Sequence, residues 1–253
     1  MPACCSTFER AADQQFNQKK AAQELKRFRK KGSGPTTRLL EDGVAQSGAL
    51  SGTLLDVGSG VGALAFGLLD RGMTSAVAVD ASASYVEAAR QEAERRGRAD
   101  AIQFVHADFV VAASQLTAAS VLTLDRVVCC YPSWESLLDA ALRHADRCLA
   151  LTYPRDVWYV RAGMMIENGQ RWLTGNSFRT FVHPAASMEQ TIRPSRIRAL
   201  QPTRDVDVVC GCVHTTTAQV SRMQTTPFGP ELAFHEAGDL TLFWSDDRLP
   251  DLA

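Results

Sequence analysis

Residues 54–64 read LLDVGSGVGAL, and they carry the strongest structural signal in the chain. An apolar run ends at an acid, Asp56, and glycines follow at alternate positions, Gly58, Gly60 and Gly62. Glycines at such a turn let the backbone approach a ligand closely, and they open a helix whose free N–H groups face that ligand. The stretch therefore predicts a buried strand, a ligand-binding turn and the first turn of a helix.

Strand-like and helix-like segments alternate around this turn. The predicted strands are TLLDV (53–57), SAVAVD (75–80), IQFVHAD (102–108), SVLTLD (120–125) and CLALTYP (148–154). Helical stretches separate short apolar strands in this way when a parallel sheet is covered on both faces. We therefore predict an α/β fold with a mostly parallel, doubly wound, Rossmann-like sheet. Its ligand should lie at the carboxyl ends of the strands.

Two ligands compete for the glycine turn. Gly58, Gly60 and Ala63 satisfy a dinucleotide fingerprint, and Asp80 lies 20 residues past Gly60, where a ribose-binding acid is expected. Asp56 favours another ligand, because a carboxylate beside the turn repels a pyrophosphate. S-adenosylmethionine brings an ammonium and a sulfonium instead, and an acid suits both. A dinucleotide-dependent oxidoreductase remains the alternative.

LLDVGSGVGAL, followed by AVAVDAS and then FVHADF, resembles class I S-adenosylmethionine-dependent methyltransferases over about residues 35–156. The resemblance implies that the glycine turn holds the methionine end, that Asp80 binds the ribose hydroxyls, and that Asp108 meets the adenine. A helix N-cap is the alternative role for Asp108. The implied cofactor-binding residues are Asp56, Gly58, Ser59, Gly60, Gly62, Asp80, Ala81, Ala107, Asp108, Phe109 and Leu124.

A narrower resemblance concerns the acceptor. FNQKKAAQELKRFRKKGSGPTTRLL, TLDRVVCCYPSWESLL and LTYPRDVWYVR look like a bacterial group of methyltransferase-domain proteins. The nearest named relatives of that group resemble magnesium-protoporphyrin O-methyltransferases. The resemblance implies a small-molecule acceptor without identifying it.

Methyl transfer makes modest demands on catalytic side chains. The cofactor is already activated, so the protein mainly positions the acceptor, and a base is needed only for a protonated nucleophile. The candidates are Asp125, at the end of the fourth strand, Tyr131 in the following turn, and His183 before Pro184. Each has an ordinary alternative: pairing with Arg126 for Asp125, packing for Tyr131, and a turn position for His183.

Composition limits the other functions. The net charge of -1 gives the 253-residue chain no overall bias toward nucleic acid, and no apolar run reaches the roughly 20 residues of a spanning helix. The seven cysteines include no C-x-x-C pair, so we expect reduced thiols and no metal site. We expect a cytoplasmic protein. The oligomeric state is left open, as is a non-catalytic cofactor-binding protein.

The sequence divides into four expected segments, of which the last, residues 192–253, is an atypical tail. Residues 1–46 form an N-terminal helical extension, with one helix over 8–31 and another that Thr36 or Thr37 caps. Its basic stretch LKRFRKK keeps an RNA acceptor as an alternative. Residues 47–156 form the cofactor-binding core, and the aromatic residues 157–191 form a substrate-side lid or connecting helices.

Residues 192–253 have scattered prolines and no clear helix period, which is atypical of this fold's C-terminal end. Dropping one base near Ile192, with permitted codons, allows SARAGFERYNRHETWMWCAVVYT, whose alternating aromatic strand is typical of that end. We therefore hypothesise a frameshift near Ile192 and an incomplete C-terminal edge of the sheet. The coding DNA tests this hypothesis.

Overall fold

The computed structural model describes residues 7–192, 198–200 and 206–212. All of them belong to the first of two compact units, Met1–Thr215, and the second unit, Thr216–Ala253, lies outside the described residues. Within the described ranges, no helix combines the length and the apolar character needed to cross a bilayer. The described helices are α1 (Thr7–Gln15), α2 (Gln18–Lys31), α3 (Pro35–Gln46), α4 (Ala63–Asp70), α5 (Ala83–Arg95), α6 (Phe109–Ala112), α7 (Trp134–His144), α8 (Trp158–Leu173) and α9 (Ala185–Ile192).

The strands form one sheet in the order β3-β2-β1-β4-β5-β7-β6. Their bounds are β1 (Thr53–Val57), β2 (Ser75–Asp80), β3 (Ile102–His106), β4 (Ala119–Leu124), β5 (Ala145–Pro154), β6 (Arg198–Leu200) and β7 (Val206–Cys212). The first five strands run parallel to one another, which confirms the predicted, mostly parallel α/β sheet. The strand order reverses between β1 and β4, so the loops after these two strands flank the switch point where ligands bind in such sheets.

The C-terminal edge carries two strands that the sequence patterns did not predict. β7 pairs antiparallel with β5, and β6 pairs antiparallel with β7. The expectation of an incomplete edge is therefore wrong for these two strands. The other residues to which the frameshift hypothesis applies lie outside the described ones, and the frameshift stays a hypothesis.

The N-terminal extension differs from its prediction in two places. The helix expected over residues 8–31 is two helices, because Asn17 is extended and its side chain accepts a hydrogen bond from the Lys20 N–H at 3.3 Å, which caps α2. Neither Thr36 nor Thr37 caps α3. That helix begins at Pro35, whose missing N–H costs nothing in a first turn.

Apolar side chains of the strands alternate between the two faces of the sheet. On β1, Leu54 packs into one apolar cluster with Leu40 and Phe66, while Leu55 packs into a second cluster with Leu138. The sheet is thus covered on both faces, and the loops at its carboxyl edge are the place where such sheets form a polar site.

Candidate functional site

A small cavity of about 30 Å³ lies at the carboxyl ends of β1 and β4. Its walls come from the glycine turn after β1, the loop after β4, and helices α2 and α3. The lining residues are Glu24, Thr37, Asp56, Gly58, Ser59, Gly60, Val61, Ala63, Leu64, Asp125 and Arg126. Five of the predicted site residues thus share one cavity: Asp56, Gly58, Ser59, Gly60 and Asp125.

The turn needs glycine for conformational and steric reasons. Gly58 and Gly60 have φ values of 67° and 56°, in the left-handed region that L side chains rarely adopt. A Cβ atom on Gly58 would also lie 2.3 Å from Val127 Cγ2. The bare backbone therefore fits closely against the loop after β4.

Asp56 is buried, with only half of its carboxylate satisfied. Thr123 Oγ1 donates to Asp56 Oδ1 at 2.7 Å. This contact follows from the pairing of β1 with β4, which sets the two residues opposite each other. Among the described residues, Asp56 Oδ2 and Ser59 Oγ have no hydrogen-bond partner. Burial raises the pKa of Asp56 to about 7, against the lowering effects of the Thr123 hydrogen bond and, more weakly, of the Ala65 main-chain N–H. Buried polar atoms are nearly always paired, so a ligand group is the natural partner here.

Asp80 holds the glycine turn from the neighbouring strand. Its Oδ2 accepts a hydrogen bond from the Gly60 N–H at 2.8 Å, and its Oδ1 accepts one from the Ser82 N–H at 2.8 Å. Burial raises the pKa of Asp80 to about 6, and these two main-chain hydrogen bonds oppose the rise. Asp80 does not line the cavity itself, but it is hydrogen-bonded to Gly60, which does.

Two cavity residues come from helices that the sequence patterns did not connect with the site. Tyr85 donates to Glu24 Oε2 at 2.7 Å, and Arg126 Nη2 lies 3.7 Å from Glu24 Oε1. Thr37 reaches the cavity from α3. No local motif marks either residue, because their positions depend on how the N-terminal helices dock. Among the described residues, Arg126 is the one non-glycine residue with positive φ, at 59°, and such strain is often found at functional sites.

Asp125, a predicted catalytic candidate, is held by two hydroxyls. Thr37 Oγ1 donates to its Oδ2 at 2.6 Å, and Thr152 Oγ1 donates to its Oδ1 at 3.1 Å. Arg126 Nε lies 3.8 Å from Oδ2, so the alternative pairing with Arg126 is also present. The carboxylate is therefore oriented before any ligand binds.

Tyr131 and His183 lie together, but outside the cavity lining. The Tyr131 hydroxyl donates toward both oxygens of Asp108, at 3.1 and 3.3 Å, and His183 Nε2 lies 3.0 Å from the Tyr131 carbonyl oxygen. Burial raises the pKa of Tyr131 and lowers that of His183. Asp108 also accepts from the Val110 N–H at 3.1 Å, so it does cap α6.

The remaining predicted cofactor residues lie beside the cavity or in the core. Gly62 begins α4 in the left-handed region, and the Ala107 N–H donates to the Asp80 carbonyl at 3.0 Å. Phe109 and Leu124 are buried in the core cluster on one face of the sheet. The Ala81 carbonyl oxygen lies 3.3 Å from His106 Nε2.

Comparisons with known proteins agree with this architecture. Residues 54–151 match a family model described as a methyltransferase domain. No curated protein matches the chain. The magnesium protoporphyrin IX methyltransferase of Synechocystis PCC 6803, solved with bound S-adenosylmethionine, has 17% identity and a TM-score of 0.58; the match covers 85% of this chain and 100% of that chain.

Two further solved structures share the fold. A putative S-adenosylmethionine-dependent methyltransferase of Methanococcus maripaludis has 17% identity and a TM-score of 0.54, covering 87% of this chain and all of that chain (100%). An O-methyltransferase family protein of Burkholderia thailandensis has 14% identity and a TM-score of 0.59, covering 82% of this chain and 63% of that chain. The domain match and the shared fold confirm the predicted Rossmann-like methyltransferase fold.

Proposed function

We propose that this chain is a class I methyltransferase that moves the methyl group of S-adenosylmethionine to a small-molecule acceptor, and that the cavity beside Asp56 receives the methionine end of the cofactor. One observation carries the proposal. Asp56 Oδ2 and Ser59 Oγ are buried and have no partner among the described residues. A carboxylate and a hydroxyl in that condition fit an ammonium group, which donates hydrogen bonds to both.

The charges around the cavity support a cationic ligand. Glu24, Asp56 and Asp125 place three carboxylates in its lining, against the single guanidinium of Arg126. A pyrophosphate at this place would meet like charges at short range, whereas an ammonium and a sulfonium would meet opposite ones. The dinucleotide alternative is therefore disfavoured. When bound, the cofactor supplies an activated methyl group, and these side chains bind and orient it.

The cavity volume implies movement of the N-terminal helices. Pockets for ligands of nucleoside size measure about 300–1,000 Å³, and this cavity measures about 30 Å³. We propose that α2 and α3 move, since the other walls belong to the sheet, its loops and the first turn of α4, which packs on the sheet. We propose that the Glu24–Tyr85 and Thr37–Asp125 hydrogen bonds loosen when the cofactor enters.

The other cofactor contacts stay predictions. Asp80 is proposed to bind the ribose, and it reaches the cavity through the Gly60 N–H. Asp108, with Ala107 and Phe109, is proposed for the adenine, although Asp108 already accepts from Tyr131 and Val110. An adenine amino group would therefore share that carboxylate.

Asp125 is the best-supported candidate for acceptor chemistry. It lines the cavity, and the hydroxyls of Thr37 and Thr152 fix its two oxygens. We propose that it orients the acceptor or takes its proton. Tyr131 and His183 remain candidates for a site that extends beyond the present cavity.

A small-molecule acceptor is favoured over RNA. The magnesium protoporphyrin IX methyltransferase that shares this fold is named for a small molecule. In the basic stretch of α2, Arg29 already donates to Glu92 at 2.8 Å, so part of its charge serves helix packing and not phosphate binding.

The test is methylation with radiolabelled S-adenosylmethionine. The chain is incubated with fractionated small metabolites and, separately, with total RNA, beside an Asp80→Ala variant as the control with weakened cofactor binding. We expect label in a small-molecule fraction for the parent chain and little for the variant. Label in RNA alone would overturn the acceptor class. Calorimetric binding of S-adenosylhomocysteine without transfer to any fraction would point to the non-catalytic alternative.

A further inference from the structure

Helix α8 exposes a row of large apolar side chains. Five of them have fractional exposures between 63% and 79%: Trp158, Met165, Ile166, Trp172 and Leu173. Among the described residues, Trp158 has an edge-on ring contact with its neighbour Tyr159, and most of the surface of all five side chains is open to solvent. In the described ranges, the other large apolar side chain with such exposure is the isolated Val111, at 66%. A contiguous apolar face of this kind usually marks an interaction surface.

The row follows the helix axis. Trp158, Met165 and Trp172 are seven residues apart, close to two turns of helix, and the neighbouring row contains Tyr159, Ile166 and Leu173. Ala162 and Gly169 lie between these rows. We call these eight residues the α8 stripe.

The opposite side of α8 is firmly attached to the protein. Val160, Gly163 and Met164 are buried, and Val160 and Met164 share an apolar cluster with Cys129 and Phe178. The orientation of α8 is therefore set by its own core contacts. The five strongly exposed members of the stripe face outward as a result of that packing, whereas Tyr159 is half-buried against the same cluster and forms the inner edge of the stripe.

The stripe is self-complementary. Reversal about the midpoint between residues 165 and 166 maps each of its members onto another apolar or small residue. The resulting pairs are Trp158 with Leu173, Tyr159 with Trp172, Ala162 with Gly169, and Met165 with Ile166. This is the property required of a two-fold symmetric interface, in which the same patch serves both partners.

The exposed area is sufficient for pairing. Two tryptophans and three aliphatic side chains at these exposures leave on the order of 700 Å² of apolar surface, close to the ~800 Å² that each partner gives to a standard interface. Small residues at Ala162 and Gly169 would let two helices approach closely. We infer that two copies of this chain associate through antiparallel α8 helices, with the two-fold axis between Met165 and Ile166.

A lipid surface fits the stripe less well. Helices that lie on anionic membranes carry free cations beside their apolar face. The arginines of α8 are engaged within the chain instead: Arg161 pairs with Asp156, and Arg171 Nη2 lies 2.8 Å from Glu167 Oε2. The inference uses the fold alone and does not depend on the proposed acceptor or cofactor contacts.

Sedimentation of the full chain tests the inference. The parent should sediment near twice its 27.6 kDa mass and dissociate on dilution. Met165→Glu should sediment as a monomer with an unchanged circular dichroism spectrum, whereas Val111→Glu, at an exposed apolar position outside the stripe, should remain a dimer. A parent that is monomeric at every concentration overturns the inference. Binding of that monomer to anionic phosphatidylglycerol vesicles would then assign the stripe to a lipid surface instead.

Cysteine cross-linking tests the geometry without disturbing the fold. Met165→Cys, next to the axis, should form a disulfide-linked dimer under mild oxidation, above the level of the parent with its native cysteines. Trp158→Cys should not, because antiparallel pairing separates the two copies of residue 158 by on the order of 20 Å along the axis. Adding Leu173→Cys to that variant should restore the cross-link. Cross-linking of Trp158→Cys alone would overturn the antiparallel arrangement.

Discussion

Asp56→Asn should stabilise the ligand-free protein at alkaline pH and weaken its binding of the cofactor. The carboxylate is 1% exposed, and one of its oxygens has no partner among the described residues. Asparagine has nearly the same shape, and its carbonyl oxygen can still accept from Thr123. The substitution therefore removes a buried charge while leaving the packing in place.

The size of the effect follows from the pKa of Asp56. Burial raises it from 3.8 to about 7. Because the folded state holds this proton more tightly than the unfolded state, the stability of the folded chain falls as pH rises from about 4 to 7. The full penalty is about 4 kcal/mol above pH 7. The new amide N–H₂ is unsatisfied, which costs about 1–3 kcal/mol, so the net gain at pH 8 should be about 1–3 kcal/mol.

Urea denaturation of parent and variant at pH 5 and pH 8 measures this difference. Between these pH values, the free energy of unfolding of the parent should fall by about 2–3 kcal/mol more than that of Asp56→Asn. Asp80 has a pKa of about 6 and contributes to both proteins, so its effect cancels in the comparison apart from its own repulsion with Asp56. Equal pH dependence in the two proteins would refute the buried-charge reasoning.

Calorimetry with S-adenosylhomocysteine tests the other half of the prediction. Loss of a hydrogen bond from the ligand ammonium to a carboxylate should weaken binding by about 1.5–3 kcal/mol, or roughly 10- to 100-fold. A variant that is stabilised but binds with parental affinity would remove Asp56 from the methionine site.

Three further predictions concern neighbouring carboxylates. Asp80→Ala should lose about 1–3 kcal/mol of S-adenosylhomocysteine affinity, and Asp80→Asn, which keeps an acceptor for the Gly60 N–H, should lose less; equal affinity in all three proteins would exclude Asp80 from the ribose site. Glu92→Gln should lower the free energy of unfolding at pH 7 because it removes the ion pairs with the arginines that hold the pKa of Glu92 at about 2; the loss should be only about 1–3 kcal/mol, since solvent partly screens those arginines. In the parent, this stability is present above pH 4.5 and is lost as pH falls toward 2. Urea melts measure the difference, with Glu87→Gln at an exposed position as the matched control. Glu24→Gln should weaken calorimetric binding of S-adenosylhomocysteine roughly 3- to 10-fold through loss of one cavity charge, and unchanged affinity would argue against a role for α2 in the site.

The parts of the fold that follow local patterns could be predicted from the sequence. The five parallel strands are short apolar runs between helical stretches, and the glycine turn is marked by its own spacing, so each is set by residues close together in the chain. Asp56 and Asp125 reach the cavity for the same reason, since both occur at the carboxyl ends of adjacent parallel strands.

The missed parts depend on contacts between distant residues. Glu24 enters the cavity because α2 docks against α5, where Arg29 and Glu92 pair across 63 positions of sequence. The sequence predicts a helix cap at Thr36 or Thr37, yet the Thr37 hydroxyl donates to Asp125, which is 88 positions away. The apolar spacing of residues 8–31 continues across Asn17 and therefore predicts one helix. The extended backbone of Asn17, which the spacing does not reveal, separates α1 from α2.

We propose that cofactor selection and opening of the cavity are coupled through the same charges. Arg126 lies near both Glu24 and Asp125, at 3.7 and 3.8 Å. A cationic ligand beside Asp56 would compete with that guanidinium for the same carboxylates. Since Glu24 belongs to α2, weakening its attraction to Arg126 would also loosen the helix that narrows the cavity. Binding of the methionine end and opening of the N-terminal wall should therefore be a single linked event, in which the ligand charge that Asp56 favours also releases α2.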